Sequence, residues 1–137
     1  MGIGLVLDRY LALRDDEQFA AASRGIDVAA QSQFYIEPGL FSGRAGMILY
    51  LSRKHRPGTA GADPVVAGHV RRLEWHAVDY EGRLAFPGEQ LLRLSMDLAT
   101  GSAGVLLALG AALHDEPVHL PFLGPAYADR PLATGRR

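Results

Sequence analysis

The sequence predicts a mainly α-helical chain that forms part of a helical ring, an α/α toroid, with one small β-hairpin near residues 76–86. Three observations predict it. Gly-Xaa-Ala-Gly followed by an apolar run occurs at residues 43–51 and again at 101–109, and the second half of the pattern occurs at 2–7. Gly2, Gly46 and Gly104 align, with spacings of 44 and 58 residues. Self-similarity on this scale marks stacked or ring-like repeats, whose units bury their apolar faces only against neighbours. Second, strongly apolar helical stretches alternate with more polar ones, as the inner and outer layers of a ring require. Third, short β-forming runs interrupt the helical pattern between the last two copies. The first copy lacks its leading Gly-Xaa pair, so the chain is expected to begin inside a repeat of a larger ring.

Each element follows from local composition. Residues 2–14 read as a helix. Ile3, Leu5, Val6, Leu7, Tyr10, Leu11 and Leu13 are too many for one face, so this helix should be buried nearly all round. Asp15 or Asp16 can cap the next helix, with Glu17 favourable in its first turn. That helix, about 16–31, is more polar, and Gly25 weakens it by about 1 kcal/mol relative to alanine. Residues 32–42 form an extended loop with a turn at Pro38-Gly39. A second apolar helix covers about 43–55. The Gly- and Pro-containing stretch 56–63 reads as a mobile linker, so Gly58→Ala should be nearly neutral there. Asp63 caps a helix that has Pro64 at its first position, where proline sacrifices no hydrogen bond, and that runs to about Trp75. Residues 76–80 and 83–86, joined at Glu81-Gly82, read as a β-hairpin. Residues 89–100 are irregular. A third apolar helix covers about 101–114 and stops at Asp115-Glu116-Pro117. Small residues at the inner-helix starts let the helix ends crowd near a common axis. Their first N–H groups are then free to face a cavity.

Composition limits the function classes. The chain has 137 residues, 48% of them hydrophobic, enough for one domain with a sizeable core. Formal net charge is −1, and the basic residues are scattered, so neither nucleic acid nor an anionic membrane is an expected partner. Lys54 is the sole lysine beside thirteen arginines, a skew that fits high-GC codon usage. The absence of cysteine excludes disulfides, thiolate metal sites and a cysteine nucleophile within this chain. No apolar run reaches the ~18 residues of a membrane span. The N-terminal apolar stretch has no basic residues before it, so a cytoplasmic location is expected.

A group of motifs carries a resemblance. They are residues 38–46 (PGLFSGRAG), 75–78 (WHAV), 84–88 (LAFPG), 91–104 (LLRLSMDLATGSAG) and 119–123 (HLPFL). In this order, with the hairpin between the last two Gly-Xaa-Ala-Gly copies, the chain resembles the lanthionine synthetase C-like cyclases. More narrowly, it resembles the C-terminal end of class III lanthipeptide synthetases, of lyase-kinase-cyclase type. The resemblance implies that residues 1–123 form the C-terminal portion of a cyclase domain, the last two and a half hairpins of its toroid, with 124–137 an irregular tail. It implies addition of cysteine thiols to dehydroalanine or dehydrobutyrine in a precursor peptide, giving lanthionine or labionin. The partners implied are that peptide and the remainder of the cyclase/kinase polypeptide, or a second copy through self-association. Zinc-dependent members carry Cys-His-Gly where this chain has Phe41, Ser42 and Gly43, so no metal and no other cofactor is expected here. The family's acid–base groups lie in earlier repeats, and the isolated chain is expected to be inactive.

No catalytic residue is assigned. Ser42, Arg44, Asp97, Thr100 and Ser102 are candidates for lining the cavity, because they lie at or just before the starts of the inner helices. Thr100 and Asp97 could instead cap the helix from Gly101, capping being the stronger reading for Thr100, and Arg44 could pair with Glu37. His69, on an outer helix, suits a surface or interface role better than acid–base work. His76 suits packing with a satisfied ring nitrogen, and His55 and His114 suit helix C-termini. Two other functions compete. One is a non-catalytic helical-repeat module that binds a peptide or partner. The other is an α/α-toroid glycosidase, which would need two carboxyls across a cleft and aromatic sugar platforms; one tryptophan and no evident acidic pair disfavour it.

Overall fold

The computed structural model describes residues 2–116 and 118–120; the tail expected at 124–137 lies outside the described residues. The chain is mainly helical with one two-stranded antiparallel sheet. Helix α1 spans Gly2–Leu11 and α2 spans Glu17–Ala30. The Asp16 carboxylate caps α2 by accepting from Phe19 N at 3.0 Å. Helix α3 spans Arg44–Ser52 and α4 spans Pro64–Arg72. Asp63 caps α4, accepting from Val65 N at 2.8 Å and Val66 N at 3.1 Å, with Pro64 at the first position. A 3-10 turn, Leu73–His76, leads into strands β1 (Val78–Tyr80) and β2 (Arg83–Ala85), paired Val78 with Ala85 and Tyr80 with Arg83. Glu81 and Gly82 both have positive φ (53° and 73°), the mirror-image turn that matches strand twist. Helix α5 spans Ser102–Leu113.

Helices α3 and α5 pack on each other at the centre, with α2 and α4 against α3 and α1 against α2. Ile48, Tyr50, Val105, Ala108 and Ala112 from the central pair are fully buried, and Leu40, Val66 and Phe86 close over them. Among the described residues, no helix is long and apolar enough to cross a membrane.

The sequence repeat is also a repeat of backbone geometry. Seven residues before α3, the Glu37 carbonyl accepts from Arg44 N at 2.9 Å; seven before α5, the Ser95 carbonyl accepts from Ser102 N at 2.8 Å. Gly43 and Gly101 are the extended N-cap residues of the two helices. A Cβ on Gly43 would press into the Glu37 carbonyl, and one on Gly101 into the Ser95 carbonyl, so each loop needs glycine for close approach. The two loops dock on each other, with Leu40 N and Phe41 N both donating to the Ala99 carbonyl at 3.0 and 2.9 Å.

Three expectations change. Helix α1 is not buried all round: Gly4 is its one buried residue, Ile3 and Val6 are 71% and 60% exposed, and Leu13, just past its end, is 74% exposed. It packs on α2 and on Tyr50 of α3. The tightly packed glycine of this copy is Gly4, where a Cβ would run into the Tyr50 ring, whereas Gly2 has open space. Residues 56–63 are tied down. Ala60–Ala62 form a 3-10 turn that packs on α4 and α5, Ala60 is buried, and Gly58 has φ +76°. Alanine at Gly58 is therefore strained, not neutral.

The far end of α3 is held by charge. Arg53 binds Asp8 of α1 and, at 3.3 Å, Asp27 of α2, and its guanidinium lies 3.5 Å over the Tyr50 ring. Lys54 also meets Asp27, at 2.7 Å. Burial opposes ionisation of Asp27, but hydrogen bonds from Lys54, Tyr50 and Arg53 outweigh it and hold the carboxyl below its usual range. Burial, with the bond to Asp27, pushes Tyr50 up to about 12.

Candidate functional site

The two docked loops bring the candidate residues to one end of the molecule, and the structure sorts them into two layers. Ser42, Asp97 and Thr100 lie in the outer layer. Ser42 and Thr100 occupy equivalent repeat positions, and each donates its hydroxyl to a carboxylate: Ser42 to Glu37 at 2.5 Å, Thr100 to Asp97 at 2.9 Å. Asp97 also accepts from Thr100 N at 2.7 Å and from the Ser95 hydroxyl. These three bonds hold the Asp97 carboxyl far below the usual range. Thr100 does not cap α5; Gly101 is the N-cap, with no side-chain bond, and Asp97 closes the preceding turn.

Arg44 and Ser102, again equivalent positions, form the layer beneath. Ser102 Oγ accepts from Phe86 N at 2.9 Å and so fastens the end of the hairpin to α5. Arg44 is 1% exposed and does not pair with the Glu37 side chain; only its backbone N–H reaches Glu37, at the carbonyl. Its guanidinium donates to the Gln33 and Tyr35 carbonyls and to His69 Nδ1, each at 3.3 Å, and Nε has no partner. It also lies 5.8 Å from the centre of the Tyr35 ring. Among the described residues, no carboxylate meets this buried cation. Its compensation is dipolar, from the loop carbonyls of Gln33 and Tyr35.

His69 corrects the expectation of a surface role. It is fully buried, with Nδ1 toward Arg44 and Nε2 3.1 Å from the Ala30 carbonyl, the last residue of α2. Arginine is donor-only, so Nδ1 must accept and Nε2–H must donate, which fixes a neutral ring. Burial lowers the His69 pKa, and nearby Arg44 and Arg72 add to this against the Ala30 bond. His76 Nε2 bonds the Ile36 carbonyl at 2.7 Å as expected, while its Nδ1 is unpartnered. His55 lies 3.8 Å from Asp63, and His114 is the C-cap of α5.

Phe41 and Ser42 do not offer zinc a ligand pair. Phe41 is 69% exposed and has no ligand atom, and the Ser42 hydroxyl is committed to Glu37. Among the described residues, no three His, Asp or Glu side chains converge.

Sequence reasoning missed two features of this end. Glu37 is a junction: Oε2 takes Ser42 and Oε1 takes Gln90 N at 3.3 Å, from a segment 53 residues away. Gln90 and Leu91 have φ of +54° and +60°, which nothing in a Gln-Leu pair signals. Phe34, Ile36, Trp75, Leu92 and Met96 are exposed apolar side chains.

No protein-family model matches the sequence. The chain is 53% identical over 125 residues to the Probable SapB synthase of Streptomyces coelicolor. The match takes in 91% of this chain and 13% of that synthase, so the chain spans about an eighth of its relative's length.

Proposed function

As a homologue of one stretch of a lanthipeptide synthetase, the chain is, we propose, part of the thioether-forming cyclase region of such an enzyme. The identity of 53% over 125 residues carries this reading. The repeated loop-and-helix units, which suit assembly with further hairpins into an α/α toroid, support it. The substrate is a precursor peptide with cysteine thiols and dehydroalanine or dehydrobutyrine. In the reaction the S–H bond breaks, sulfur bonds the β-carbon, and the α-carbon of the resulting enolate takes a proton. The chemistry needs a base at the thiol and a proton donor at the enolate. Arg44 and Ser102 act from below by fixing the loops, while Ser42, Asp97 and Thr100 present polar groups on the outer layer. The remaining acid–base groups come from other repeats of the synthase.

The reaction in this subclass is independent of zinc, because Phe41 and Ser42 offer no ligand pair. Elemental analysis should find no tightly held zinc, and one zinc per chain lost on changing His55 or His69 would overturn this.

The main test is an exchange. This chain replaces the matching stretch of the Streptomyces coelicolor synthase, and a second form lacks the stretch. The exchanged enzyme should dehydrate its peptide and leave no thiol for iodoacetamide. The deleted form should still dehydrate but leave thiols open to alkylation. Ring closure that survives deletion would refute a cyclase role. A non-catalytic peptide-binding module is the second reading, favoured by the exposed Phe34, Phe41, Trp75 and Met96. It predicts that the isolated chain binds the peptide and that deletion weakens binding at both steps.

A further inference from the structure

Residues 88–93 form a small loop with a closed neck. Gly88 N donates to the Arg93 carbonyl at 2.7 Å, and Pro87 and Leu94 form an isolated antiparallel bridge. The tip carries the two consecutive non-glycine residues of positive φ, Gln90 and Leu91. Side chains resist this conformation because Cβ crowds the neighbouring carbonyl, and such residues persist only where surroundings hold them. The tip has little packing to do so, since Glu89, Gln90, Leu91 and Leu92 are all exposed. Among the described residues, one hydrogen bond ties the tip to another segment: Gln90 N to Glu37 Oε1 at 3.3 Å. The other carboxylate oxygen is steadied by Ser42.

We propose that residues 88–93 are a strained flap, latched shut by the Glu37 carboxylate at the joined starts of α3 and α5. The bond to a charged acceptor and the relief of two left-handed residues are of the same order, so the flap is close to balance. Opening frees Oε1 of Glu37, while Ser42 still holds Oε2. The neck stays closed, so the movement is confined to the tip.

Hydrogen exchange of the whole chain, read by mass spectrometry at peptide level, tests this. In Glu37→Ala, amides of residues 89–92 should exchange about tenfold faster, with those of α3 and α5 unchanged. Glu37→Gln, which keeps a neutral acceptor, should fall between Glu37→Ala and the parent. Adding Gln90→Gly to Glu37→Ala should slow the tip again, because glycine takes positive φ without strain. Unchanged exchange in Glu37→Ala would overturn the latch. So would an increase spread equally over α3 and α5, which would make Glu37 a support of the fold. Faster exchange on adding Gln90→Gly would overturn the strain.

Discussion

Replacing His69 with glutamine should remove one defined component of the acid sensitivity of folding. The imidazole is 0% exposed, takes a hydrogen bond from Arg44 and gives one to the Ala30 carbonyl. Glutamine offers the same pair, a carbonyl to accept and an amide to donate, without a titrating group. A protonated His69 would aim N–H at the Arg44 guanidinium, with Arg72 also nearby, and the Tyr35 ring as the remaining titratable neighbour. The folded pKa is therefore lowered below the ordinary 6.5 of the unfolded chain, by burial first. A base with a depressed folded pKa binds more protons when unfolded. Its contribution is fully present above about pH 6.5 and is lost as pH falls toward the lowered folded value. The slope in that window is about 1.4 kcal/mol per pH unit. A small domain has only about 5–15 kcal/mol of stability, so one unit of acid is readily measured. Urea midpoints of parent and His69→Gln, followed by circular dichroism from about pH 7.5 to about pH 5, give the difference. The other histidines are common to both proteins and drop out. The parent should lose stability faster, the gap opening by up to about 1.4 kcal/mol per unit. Parallel curves would refute the buried, neutral His69.

Alanine at Gly43 or Gly101 puts a Cβ against a backbone carbonyl and should cost about 1–3 kcal/mol, read as a lower Tm; unchanged Tm for both would dismiss the crowded-loop geometry. Gly25→Ala, in α2 with nothing near its Cβ, should stabilise by about 0.5–1 kcal/mol, whereas Gly58→Ala, at φ +76° and facing Asp115, should destabilise by about 1 kcal/mol. The same sign for both in chemical denaturation would contradict the turn at Gly58. Arg53→Met should cost about 1–3 kcal/mol through lost bonds to Asp8 and Asp27. It should also raise the Asp27 pKa toward 3.8 by NMR titration. Asp27 stabilises the fold above that value and loses the effect as pH falls through its lowered folded pKa, so an unmoved Asp27 would show that Arg53 contributes nothing to it.

The sequence by itself determined the helices, their caps and the hairpin, because these depend on neighbours within a few residues. Asp16 and Asp63 cap where a carboxylate can reach the third amide, and Glu81-Gly82 makes the turn that left-handed backbone requires. The Gly-Xaa-Ala-Gly copies announced a structural unit, and Gly43 and Gly101 do the same steric work in both loops. What the sequence did not carry was which side of each element finds a partner. Helix α1 is as apolar as a buried helix, yet burial depends on what else lies around it, and α2 and α3 cover one side. His69 sits in a polar helix, but α4 turns it inward onto the Ala30 carbonyl at the end of α2, beside an arginine 25 residues away. The split of the candidates into outer Ser42, Asp97 and Thr100 and inner Arg44 and Ser102 has the same origin. Ser42 and Thr100 precede the glycine N-caps while Arg44 and Ser102 open the helices, and only the packing of α3 on α5 decides which side is the core.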